Sequence, residues 1–124
     1  MYYKMEEIKY KQFVIIPKIP KMSKGKLVSQ GCHATFMAIE KQKEYLFNKI
    51  RKWKRKGMCV IVLQCSTSER LMTIAKYLDQ WGIINHLYID EGITEVEMGT
   101  PTALATGILT EDKFWIFENL RLYK

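Results

Sequence analysis

The sequence is poor in residues that staple or punctuate small proteins: its 124 positions include three cysteines and three prolines. Cys32, Cys59 and Cys65 form no C-x-x-C pair, and their number is odd. A disulfide framework or a zinc site is therefore not expected, and a reducing compartment is. No apolar run approaches the roughly 20 residues needed to span a bilayer. The opening "MYYKMEEIKY" is too polar for a secretory h-region. These absences predict a cytoplasmic protein with no membrane span. Linkers, repeats and low-complexity tracts are also missing, so one domain is expected. Carboxylates are outnumbered, 13 against 20 basic residues, for a formal net charge of +7. That surplus suits an anionic partner (nucleic acid, phosphorylated ligand or anionic membrane) without choosing among them.

What is present is enough to build a core. Apolar residues make up 48%, with 7 Tyr, 5 Phe and 3 Trp, which excludes intrinsic disorder as the resting state of a chain this long. "KQFVIIP", 11–17, reads as a buried strand ending at Pro17. Pro17 and Pro20 then predict an extended or turning link. A helix is expected from Ser23 to about Lys41, and a second over 42–56, stopped by Gly57. "MCVIVLQC", 58–65, is apolar enough for a strand covered on both faces. Ser66 or Ser68 is expected to cap a third helix running to Trp81 and Gly82. "INHLYID", 84–90, and "TALATGIL", 102–109, read as strands, separated by the turn-rich "EGITEVEMGTP". A short helix over 110–120, capped by Thr110, closes the pattern. Alternating strands and helices predict an α/β domain with a mostly buried sheet.

The start of the first helix breaks a rule. Helix N-termini favour carboxylates, yet "KMSKGK" supplies Lys21, Lys24 and Lys26. With Ser23 as N-cap, Lys26 occupies the third helical position, where a capping box wants Glu or Gln. The loss is small, about 0.3–1 kcal/mol for the charge. It is reversed if an anion sits there, since free N–H groups and lysines then converge on it; the composition fits a merely solvated end of a basic protein equally well. On a helical wheel Lys26, Gln30, His33 and Met37 share one polar stripe. Val28, Gly31, Cys32, Thr35, Ala38 and Ile39 occupy the other side and are expected to face the core.

Other candidates are weaker. Asp90 ends a strand, where α/β domains place ligand-binding loops, although its position alone fits an ordinary turn aspartate better; Thr94 lies in the loop that follows. The neighbours Cys32 and His33 point about 100° apart on a helix, which disfavours a Cys–His nucleophile. "KIRKWKRK", 49–56, suits either phosphate contact with Trp53 snorkelling or stacking, or a solvated helix end. His86, inside a strand pattern, reads as structural.

Two separated motifs bring a family into view. "KMSKGKLVSQGCHA", 21–34, resembles the K-M-x-K-G-K-x-x-x-Q-x-x-H-A signature of the archaeal and eukaryotic type of peptidyl-tRNA hydrolase. "YIDEGITEVEMGTPTALATGI", 88–108, resembles that family's D-x-G-x-T loop with its G-[ST]-x-T and last strand. The resemblance covers residues 11–124 and leaves 1–10 as an N-terminal extension. It implies a mixed four-stranded sheet flanked by helices on both faces, often as a homodimer. It also implies hydrolysis of the ester between a peptide and the 3′-terminal ribose of tRNA, with no metal and no organic cofactor. Position by position, the resemblance makes Lys26, Asp90, Thr94 and His33 catalytic candidates and Lys21, Lys24 and Gln30 substrate-binding ones. The loop departs from the family's D-A-G-R-T-Q: the arginine is missing, and acids stand at 91, 95 and 97, where they should repel a phosphate backbone. A catalytically inactive tRNA- or RNA-binding paralogue on the same fold is the alternative reading.

Overall fold

The computed structural model describes residues 7–43, 47–92 and 95–124. Five strands, β1 (Tyr10–Ile19), β2 (Val60–Thr67), β3 (Asn85–Ile89), β4 (Pro101–Thr110) and β5 (Arg121–Leu122), form one open sheet of order β3-β4-β1-β2-β5. β1 and β2 run parallel, and the other neighbours pair antiparallel. Around them lie α1 (Lys24–Lys43), α2 (Phe47–Arg55), α3 (Ser68–Gln80) and a 3₁₀ helix (Glu111–Phe117). The class is mixed α/β, as expected. None of the helices, among the described residues, is long and apolar enough to cross a membrane.

Four of the strands match the sequence pattern; the fifth corrects the expected count. β5 has two residues, too few for any periodicity, and it exists because Leu63 and Gln64 of β2 offer an edge to pair with. β1 also outruns its expected stop: Pro17 is buried within it, opposite Cys65. Pairing with β4 ends at Ile15, so past that point the N–H that proline lacks has no ladder to serve on that side. Thr67, rather than Ser66 or Ser68, caps α3, its Oγ1 accepting from Arg70 N at 3.1 Å. The last helix is a 3₁₀ segment shorter than 110–120.

Alternation along β1 divides the core. Phe13 and Ile15 pack with Leu71 and Leu78 of α3 and with Phe117. Val14 and Ile16 pack with Ala34 and Ala38 of α1 and with Ala103 and Ala105 of β4. Ile50 and Trp53 of α2 close over Tyr10 and Ile108. Trp53 is buried, its indole N–H donating to the Cys59 carbonyl at 2.9 Å. It therefore belongs to the core, and the basic residues around it form the solvated side of α2.

The wheel expectation for α1 is borne out at Ala38, which is buried, and overturned at three other positions. Its buried stripe is Gln30, Ala34, Ala38 and Gln42. Val28 and Cys32, expected inside, are exposed, whereas Gln30, expected on the polar face, is 2% exposed. Two alanines let the helix lie close to the sheet, and a glutamine at each end finds polar partners there. Between Gln12 and Val14 the β1–β4 register slips, leaving backbone groups that the ladder cannot pair. Thr106 Oγ1 accepts from Phe13 N at 3.1 Å, and Gln42 spans Ile108, donating to its carbonyl at 3.0 Å and accepting from its N–H. Gly107 permits this approach, since a Cβ there would stand 2.7 Å from Gln42 Oε1. Gln42→Leu is expected to strand both Ile108 groups and lower stability on the order of 2 kcal/mol. Urea unfolding should show this as a lower midpoint at unchanged slope.

Candidate active site

The site begins at the first turn of α1. Ser23 is its N-cap: Ser23 Oγ accepts from Lys26 N at 3.2 Å. The other half of a capping box would be an N3 carboxylate accepting from the N-cap N–H, and Lys26 cannot supply it. Glu95 does so from the loop after β3. Its Oε1 accepts from Ser23 N at 2.9 Å and its Oε2 from Ser23 Oγ at 2.7 Å. The Ser23 hydroxyl and N–H hold the Glu95 carboxyl below its ordinary range, with the Lys26 charge adding to the effect. Val96 is buried with the α1-side core, so the loop is tied to α1 by a polar and an apolar contact. All three loop acids are exposed, and Glu95 is committed to the helix start.

Asp90 lies at the neck of this loop, beyond the end of β3 and 5% exposed. Its backbone is closed by hydrogen bonds from Asp90 N to the Thr100 carbonyl and from Gly99 N to the Asp90 carbonyl, both 2.9 Å. Its carboxylate receives three donors. Lys26 Nζ and Gln30 Nε2 each reach Oδ1 at 2.6 Å, and Gly92 N reaches Oδ2 at 2.6 Å. Burial alone would raise the carboxyl's pKa. The Lys26 hydrogen bond, the Gly92 N–H, the Lys26 charge and the Gln30 amide outweigh burial and hold it below the usual range. Gly92 has φ 76°, and a Cβ there would fall 2.4 Å from Met98 N. Only glycine gives this turn its inward N–H.

Lys26 and Gln30 are therefore brought to Asp90 from 64 and 60 residues away. His33 sits on the next exposed part of α1, its ring stacked on Tyr88 at 4.7 Å and its Nε2 3.4 Å from Ser29 Oγ. Lys21 and Lys24 are exposed at the mouth of the helix. Thr94 lies outside the described residues. Glu95 was not among the expected site residues. The signal for it was a helix start whose N3 residue is lysine, which leaves the N-cap N–H needing an acceptor from elsewhere in the chain.

The family model described as peptidyl-tRNA hydrolase PTH2 matches residues 10–123. A peptidyl-tRNA hydrolase of Methanothermobacter thermautotrophicus is 33% identical over 103 residues, covering 83% of this chain and 89% of its own. One from Methanopyrus kandleri is 34% identical over 84% of this chain and 89% of its own. A probable peptidyl-tRNA hydrolase 2 of Dictyostelium discoideum is 29% identical over 91% of this chain, which spans 54% of that longer protein.

The sign of the Asp90 shift sets a pH dependence. A carboxyl lowered from 3.8 in the fold contributes stability that is present above the unfolded value and lost as pH falls through the folded one. Asp90→Asn removes that contribution. Urea midpoints of the two proteins should differ most near neutrality and converge as pH falls below the ordinary carboxyl value of 3.8. A gap that stays constant as pH falls would mean that the carboxylate's charge is not what the site uses.

Proposed function

The chain belongs to the peptidyl-tRNA hydrolase PTH2 family, and from that premise we propose that it hydrolyses the ester joining a peptide to the 3′-terminal ribose of tRNA. Water adds to the acyl carbon and the carbon–oxygen bond to ribose breaks. The peptide leaves as a carboxylate, and the ribose oxygen takes a proton. The observation that carries this reading is the Lys26–Asp90 pair at 2.6 Å, with side chains 12% and 6% exposed. A buried carboxylate holds the ammonium in one orientation, so it meets charge developing on the ester carbonyl without first reorganising.

The roles divide along that pair. Asp90, with both oxygens occupied and its pKa lowered, is a weak base near neutrality and serves to orient Lys26. Gln30, its amide committed to the same oxygen, braces Asp90. His33 offers an exposed imidazole on the Tyr88 ring, suited to accept the proton of the attacking water. Thr94 enters through its place in the loop motif and would hold the loop's geometry. Lys21 and Lys24, beside the first turn, would meet phosphates near the acceptor end, with the basic side of α2 adding to the field. This reading places the protein in translation, in the cytoplasm, as a homodimer. Its catalytic domain spans 11–124, with 1–10 as an extension, and the division of β1 side chains between two core clusters supports helices on both sheet faces.

Lys26→Ala and Asp90→Ala should each lower single-turnover cleavage of an N-blocked peptidyl-tRNA by about 10²–10³-fold, the scale for loss of one oxyanion donor. Circular dichroism checks that the variants remain folded. Unchanged rates in both would remove Lys26 and Asp90 from the mechanism, and an inert wild-type protein would remove the activity itself.

A further inference from the structure

Helix α2 carries its charge without a counterweight. Its nine residues, FNKIRKWKR, include five cations and no carboxylate. Ile50 and Trp53 are buried against Tyr10, Ile108 and Ile39 of α1. The opposite side of the helix therefore presents Asn48, Arg51, Lys52 and Arg55, all exposed. The helix dipole favours a cation or two in the last turn. It does not account for this row. Lys52 and Arg55 stand three apart and Arg51 and Arg55 four apart, spacings at which like charges repel. Lys52 and Arg55 have no ion pair among the described residues, and an anionic partner would turn their repulsion into attraction. The place of the row is equally specific. Tyr10 opens β1 and Ile108 is near the end of β4, whereas the Lys26–Asp90 pair lies past the end of β1 and before the start of β4. Along α1, from Lys26 to Ile39 beside α2, the separation is about 20 Å at helical rise.

We propose that this row of α2 holds the phosphate backbone of the acceptor-stem duplex while the ester lies at Lys26. The inference deepens the hydrolytic reading above and rests on it. At about 3.4 Å per stacked nucleotide, 20 Å corresponds to about six nucleotides. That length carries the strand past its single-stranded 3′ end and into the stem. A-form duplexes are recognised through phosphates and 2′-hydroxyls more than through base edges. A row of cations with one amide, Asn48, supplies such contacts without needing a pocket. An anionic membrane is the other partner open to a basic helix, but a helix lying in the interface needs an apolar face for the lipid. In α2 that face is committed to the core through Ile50 and Trp53. The basic groups thus divide the substrate, Lys21 and Lys24 serving the strand near the ester and α2 serving the stem.

The test places one N-blocked peptidyl ester on two carriers, an acceptor-stem hairpin with its 3′ tail and that tail alone. Wild-type protein should show the lower KM on the hairpin. Lys52→Gln combined with Arg55→Gln should remove about tenfold of that advantage at low salt and reduce the salt slope of hairpin binding by about two. The double variant should keep its urea midpoint, since the core side of α2 is untouched. Lys113→Gln removes an exposed cation from the 3₁₀ helix and controls for net charge, so it should leave the hairpin advantage in place. An equal loss in Lys113→Gln, or an equal rise in KM on both carriers, overturns the α2 contact and leaves the hydrolytic reading standing. So does a double variant that loses binding to anionic lipid vesicles and keeps its binding to the hairpin, which would assign α2 to a membrane. A wild-type protein that cleaves neither carrier removes the hydrolytic reading, while weaker hairpin binding by the double variant would still uphold the duplex contact.

Discussion

A carboxylate removed from water must be paired, and Asp90 is paired three times over. The requirement reaches outward from there. Lys26 must come from α1, which fixes the height of the helix over the sheet. Gln30 must turn inward, which fixes its rotation. Gly92 must fold back, which sets the path of the loop. The Asp90 backbone is itself held by Thr100 and Gly99 at the entrance to β4. One ion pair thus ties together the helix start, the end of β3 and the loop between β3 and β4. Breaking a buried pair by removing one partner typically costs about 3–5 kcal/mol, so this region has one low-energy arrangement.

The same constraint explains why α1 is inside out. A helix usually buries apolar residues and shows polar ones. Here two glutamines are buried because each has backbone or carboxylate groups to satisfy, Asp90 at one end and Ile108 at the other. The alanines between them bring the helix close enough for both amides to reach. The residues left outside, Val28, Cys32 and Phe36, form the apolar ridge on the solvent side. The site and the exposed ridge are therefore two consequences of one helix rotation.

The lysines at the helix start find their counterpart across the fold rather than within the helix. Glu95 takes the task that an N3 glutamate performs locally in a capping box, so the first turn is capped while Lys26 remains available to Asp90. Of the three loop acids, all exposed, Glu95 holds the helix start.

Much of this was legible in the chain. Strand and helix order, the Ser23 cap, the Gly57 stop, and the distant motifs carrying Lys26, Gln30 and Asp90 follow from local pattern and motif spacing. Local preferences act over a few residues and leave their periods in the sequence. The rotation of α1 did not follow, because a wheel ranks residues by polarity and cannot register that a buried amide has a partner sixty residues away. Nor did β5 or the Glu95 cap, each of which exists only when a distant edge or an unpaired N–H is brought alongside. The sequence by itself determined which residue types stand ready for chemistry and in what order the elements run. Tertiary structure decided which of them meet, because desolvation makes pairing compulsory only once the chain has closed around them.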